Sequence, residues 1–134
     1  MLNEGERVDV SDERGVQPAS SHFRIVTAGR AMVIKPEMAR VDIEVAAQFR
    51  AAMLKLVEQG HRNLVVDMSH VTFIDSSGLG ALVSALKALK TQDRNGDIRL
   101  ANVQQPVVAL LEIIRLQRVF TSYPSVEQAV KSLT

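Results

Sequence analysis

The chain has 134 residues, 46% of them hydrophobic, with 16 Lys and Arg against 15 Asp and Glu for a formal net charge of +1, and no cysteine. That length suits one compact domain, and the missing cysteines exclude disulfides and thiolate metal sites. Four Phe, one Tyr, no Trp and basic residues scattered along the chain exclude the aromatic platform and clustered basic face of a nucleic-acid binder.

Residues 1–20 carry Glu4, Glu6, Asp9, Asp12 and Glu13 against Arg7 and Arg14. With few apolar side chains to bury, they are expected to be a disordered extension. The remainder then holds fourteen basic and ten acidic residues, too evenly spread for a nucleic-acid surface. No apolar run reaches the roughly 20 residues that span a bilayer, and the start lacks a basic-then-apolar leader pattern. A soluble cytoplasmic protein without membrane contact is expected.

His22 to Ala28 and Ala31 to Met38 predict two strands joined by a turn at Gly29-Arg30. In the second, Met32, Ile34, Pro36 and Met38 alternate with Val33, Lys35 and Glu37, the period of a half-buried strand. Pro36 cannot donate to a ladder, which predicts that this hairpin lies at the sheet's periphery. Asp42 is a candidate N-cap for a helix carrying Val45, Ala46, Phe49, Met53, Leu56 and Val57 inward, closed by Gly60. Asn63 to Met68 is a β-rich apolar run that predicts a buried strand.

The stretch Val71-Thr72-Phe73-Ile74-Asp75-Ser76-Ser77-Gly78-Leu79-Gly80 follows, and beyond it apolar residues recur at helical spacing through Leu79, Leu82, Val83, Leu86 and Leu89. The polar cluster is therefore a turn that sets two hydroxyls and a carboxylate at a helix start, where outward N–H groups and the dipole tolerate a phosphate. Capping by Asp75 or by one of the serines is the competing reading, with the glycines letting the chain pass close to its neighbours. Ala81, Ser84, Ala85 and Ala88 give the same helix a small, flat flank. It suits either the approach of a partner helix or simple helix propensity.

Asn95-Gly96 ends that helix. Asp97 to Asn102 predicts a strand, Pro106 the first turn of a helix with Val107, Leu110, Leu111 and Ile114, and Val119-Phe120-Thr121 a short strand. Ser125-Val126-Glu127-Gln128 has capping-box spacing and opens a last helix. Strands alternating with helices define an α/β domain.

Several chemistries fall on spacing. Asp75 and Leu79 stand where a nucleophile elbow around Ser77 needs glycines. Gly78-Leu79-Gly80 lacks the third glycine of a dinucleotide fingerprint, since Val83 stands there, and no P-loop Gly-Lys-Ser/Thr occurs. His22, His61 and His70 show no metal spacing. Asp42, Asp67 and Asp75 could meet at the sheet's end as a hard-cation site, yet no metal or other cofactor is expected.

Phe73-Ile74-Asp75-Ser76-Ser77-Gly78-Leu79-Gly80 after a buried strand resembles the signature of STAS domains, specifically the bacterial anti-sigma factor antagonists, from about residue 22 to the C-terminus. The resemblance implies a single STAS-like α/β domain over residues 21–134, with a mixed sheet of about five strands and four to five helices packed on it. It implies phosphorylation on the second serine of the motif, Ser77, ahead of Ser76, by an anti-sigma factor that is itself a serine kinase of the GHKL ATPase type. A metal-dependent serine phosphatase would reset the switch, and the protein itself would be a monomer or weak dimer without enzymatic activity. The partner face is expected to comprise Asp42, Asp75, Ser76, Ser77, Gly78, Leu79, Ala81 and Ser84. Where the family usually has Gly-x-Leu-Asp, this chain has Ala39-Arg40-Val41-Asp42, a departure that bears on partner identity. The alternatives are an unphosphorylated STAS subunit of a transporter or other regulatory complex, and an enzyme acting through Ser77 or the aspartates.

Overall fold

The computed structural model describes residues 22–133; the N-terminal extension expected over residues 1–20 lies outside them. Antiparallel β1 (Phe23–Ala28) and β2 (Ala31–Pro36) form a hairpin, turned at Gly29 with φ of +60°, a region open to glycine. Then come β3 (Arg40–Val41), α1 (Ile43–Glu58), β4 (Asn63–Asp67), β5 (Phe73–Ile74), α2 (Ser76–Gln92) and β6 (Asp97–Ala101). α3 (Gln105–Ile113), a 3-10 turn over Leu116–Arg118, β7 (Ser122–Tyr123) and α4 (Val126–Lys131) complete the order.

The main sheet runs β1-β2-β4-β6-β7 and is mixed, antiparallel only between β1 and β2. The hairpin forms one end of the sheet, at its periphery as expected, with β1 the edge strand and β2 pairing on its other side with β4. Pro36 is tolerated because β4 pairs only with Met32, Val33 and Ile34, so the missing N–H falls beyond that ladder. The half-buried pattern expected for β2 is corrected. Val33 is as buried as Ile34, since both faces of the sheet are covered.

One face buries Ile34, Leu64, Val66, Ile98 and Leu100 against Phe49 and Met53 of α1, Leu82 and Leu89 of α2, and Val107 and Leu111 of α3. The other buries Ala31, Val33, Val65 and Ala101 against Ala129 of α4. The strand expected over Val119-Phe120-Thr121 forms instead at Ser122–Tyr123. Arg115 turns left-handed and the chain winds into the 3-10 turn, which carries Phe120 into the core and delays pairing with β6. Ser125 caps α4 as its spacing predicted, its hydroxyl accepting the Gln128 N–H at 3.1 Å.

Phe49 is fully buried and its ring stacks on Phe23, centroids 5.5 Å apart, tying α1 to the edge strand. Phe49→Ala should cost about 3–5 kcal/mol, read as a lower urea midpoint with an unchanged slope.

Candidate functional site

The serine turn is built by a second, two-stranded sheet. β3 and β5 pair in parallel, Arg40 opposite Phe73 and Val41 opposite Ile74. Around this pairing the Ala39 carbonyl accepts the N–H groups of Thr72 (2.8 Å) and Phe73 (3.1 Å), and the Val41 carbonyl accepts Asp75 N–H at 3.3 Å. Val41 and Ile74 point into the core, which leaves Arg40 and Phe73 on the outer side. Two residues further, each strand runs into a helix. Asp42 and Asp75 thus become neighbouring N-caps.

The capping reading is resolved in favour of the aspartates. Asp42 accepts Glu44 N–H at 3.0 Å, and Asp75 Oδ1 accepts both Ser77 N–H (2.9 Å) and Gly78 N–H (3.1 Å). Neither serine is the cap, and among the described residues no hydrogen bond engages the Ser77 hydroxyl. Ser76 is exposed and Ser77 half-buried in the first turn of α2. The helix N–H groups that were to tolerate a phosphate are occupied in part by Asp75. A new anion there would meet a carboxylate rather than an empty cradle.

Gly78 is required by contact. A Cβ on it would lie 2.5 Å from the Val41 carbonyl oxygen and 2.6 Å from Ile74 Cγ1, whereas a Cβ on Gly80 meets nothing within 4 Å. The flank of α2 is corrected as well. Ala81 and Ala85, expected on an open flank, are 3% and 0% exposed. Small residues at these positions let α2 lie close to its packed neighbours inside the domain. Gly78, Leu79 and Ala81 therefore shape the site from beneath, and Asp42, Asp75, Ser76, Ser77 and Ser84 retain surface.

The three aspartates weighed as a cation site are separately engaged. Asp67, 9% exposed, accepts Ser69 N–H and Asn102 Nδ2–H, both at 3.1 Å, and no three acidic, His or Cys side chains gather to hold a metal among the described residues. Gln104 donates from its side chain to the Ser69 carbonyl, so the start of α3 braces the loop that leads to the serine turn. Sequence reasoning did not reach Phe73 as a surface residue. It is 38% exposed with the Arg40 guanidinium 3.9 Å above its ring, and Ile43 beside Asp42 is 74% exposed. An aromatic residue within a polar turn was the available signal.

Comparison with known proteins agrees with this geometry. The STAS domain family model matches residues 22–129. The anti-sigma-B factor antagonist of Bacillus subtilis (strain 168) is 31% identical over 77 residues, 58% of this chain and 68% of the relative. Among solved structures, an anti-sigma-factor antagonist (STAS) domain protein from Planctomyces limnophilus superposes with a TM-score of 0.71 at 26% identity, covering 84% of this chain and 97% of that one. The Bacillus cell fate determinant SpoIIAA in its phosphorylated form superposes with a TM-score of 0.65 at 20% identity, covering 84% and 99%. The chain belongs to the STAS domain family. The Bacillus subtilis and Planctomyces limnophilus relatives named above are anti-sigma factor antagonists, and the mixed five-stranded sheet with four helices is the fold this chain shares with its solved neighbours.

Gly78→Ala should lower stability by about 1–3 kcal/mol as the added methyl displaces Val41 or Ile74. Gly80→Ala should raise it by up to about 1 kcal/mol through helix propensity alone. Thermal melting of the two variants side by side reads both signs.

Proposed function

We propose that this chain is an anti-sigma factor antagonist switched by phosphorylation at Ser77. Unphosphorylated, it docks on an anti-sigma serine kinase of the GHKL type through Asp42, Asp75, Ser76, Ser77 and Ser84, over a base shaped by Gly78, Leu79 and Ala81. Docking frees the sigma factor. The kinase transfers the γ-phosphoryl of ATP to Ser77 Oγ, leaving ADP and a released proton, and a metal-dependent serine phosphatase returns the hydroxyl by hydrolysis. The chain contributes a substrate hydroxyl and a docking surface, and the positioning and electrostatics of phosphoryl transfer come from the kinase. The cytoplasm supplies ATP and both partners.

The observation that carries this reading is the division of labour at the start of α2. Asp75 alone takes the cap, so the Ser77 hydroxyl is dispensable to the fold and available for chemistry. Phosphorylation adds about −1.5 to −2 charges next to Asp75, and repulsion with desolvation would then break the interface. No helix among the described residues is long and apolar enough to cross a membrane, which accords with a partner reached by diffusion.

Capture from host lysate with and without ATP, followed by mass spectrometry of residue 77, tests the scheme. Ser77→Ala should hold the kinase yet resist release by ATP; loss of binding in this variant would overturn the switch. Ser77→Asp should bind at least a hundredfold more weakly, equivalent to about 3 kcal/mol, while keeping wild-type circular dichroism.

A further inference from the structure

Resting on the reading of Ser77 as a phosphorylated residue, we propose that the Arg40 guanidinium, laid on the Phe73 ring, is the intramolecular receptor for the phosphoryl group on Ser77. The β3–β5 register places Arg40 and Phe73 side by side on the outer face, with Asp42 and Asp75 following on the same ends. Val41, the residue after Arg40, has its carbonyl against Gly78, the residue after Ser77. Guanidinium and serine thus belong to two segments already in contact.

Arg40 is held but not consumed. Its Nε stands 3.6 Å from Asp42 Oδ2, beyond hydrogen-bond length, and its side chain is 61% exposed. The ring beneath it restrains the arm without using any of its N–H donors. A planar fork with free donors matches a phosphate in bidentate geometry. The electrostatics point the same way. A phosphoryl group on Ser77 would enter a corner bounded by the Asp42 and Asp75 caps, with Glu44 in the first turn of α1, and Arg40 is the cation that the strand pairing brings to this side. Moving it from Asp42 to the phosphate would neutralise part of the added charge. It would also withdraw the guanidinium from the surface that an unphosphorylated chain presents.

The test installs phosphoserine at position 77 during translation, so it does not depend on any kinase. In two-dimensional NMR the Arg40 Nε–Hε signal should move downfield and exchange more slowly with water in the phosphorylated protein. An Arg40 signal indifferent to the phosphate overturns the proposal. Arg40→Gln provides the second arm. Phosphorylation should lower its melting temperature by about 4–8 °C relative to the effect on wild type, with partial recovery in Arg40→Lys. Equal effects in all three proteins would likewise refute it. If residue 77 is found unmodified in cells while the NMR shift is present, the proposed regulation falls and the receptor geometry stands.

Discussion

The serine end of this molecule depends on four residues in two short strands. Arg40–Val41 pairs with Phe73–Ile74, and this pairing fixes the starting points of α1 and α2 relative to one another. Through it the Val41 carbonyl comes close enough to α2 that only glycine fits at position 78. Because Val41 and Ile74 are buried, the bridge is anchored in the main core even though it is not part of the main sheet. The turn is therefore rigid where a surface loop would ordinarily be mobile. A rigid presentation of one hydroxyl is what a protein substrate needs if a kinase is to hold its reacting atoms in line.

Rigidity alone would not make the proposed switch, and the electrostatic arrangement bears on the rest. A helix start with open N–H groups would absorb an added phosphate and mute its effect. Here Asp75 has already taken the N–H groups of Ser77 and Gly78. Added charge at Ser77 would remain directed outward, toward whatever lies against the face. The exposed Phe73 and Ile43 border the same surface, so an approaching partner would have apolar area to bury beside the serine. Removing water from that area strengthens every charge interaction within it. On the proposed reading, a single phosphoryl group is then enough to exchange attraction for repulsion.

Much of this was legible in the residues, and the exceptions have physical causes. Asp42 read as a candidate cap, and capping of α2 was open between Asp75 and the serines, because short polar side chains before a helical apolar stripe all suit that position. The glycines of the turn read together as close approaches, which holds for Gly78 and not for Gly80. Strands β3 and β5 did not, because two residues cannot display a period, and their pairing depends on contacts made across more than thirty positions of chain. The flank of α2 misled because Ala81 and Ala85 look alike whether a helix of the same domain or of another lies against them. The second face of β2 misled similarly. Val33 became core only because the six-residue α4, remote in sequence, folds back over Ala31, Val65 and Ala101.

That remote closure bears on how the site is insulated. The larger core joins α1, α2 and α3 to one face of the sheet, and its central side chains are fully buried. Cores packed to this degree do not deform gradually, since small displacements forfeit many contacts at once. A charge added at the first turn of α2 therefore has two outlets: side chains on the outer face of the β3–β5 bridge, and the molecule bound there. The first is confined to Arg40, Phe73 and the two caps. On the proposed reading the second is where the free-energy difference would appear, which would let a scaffold that moves little report the state of Ser77 to a partner.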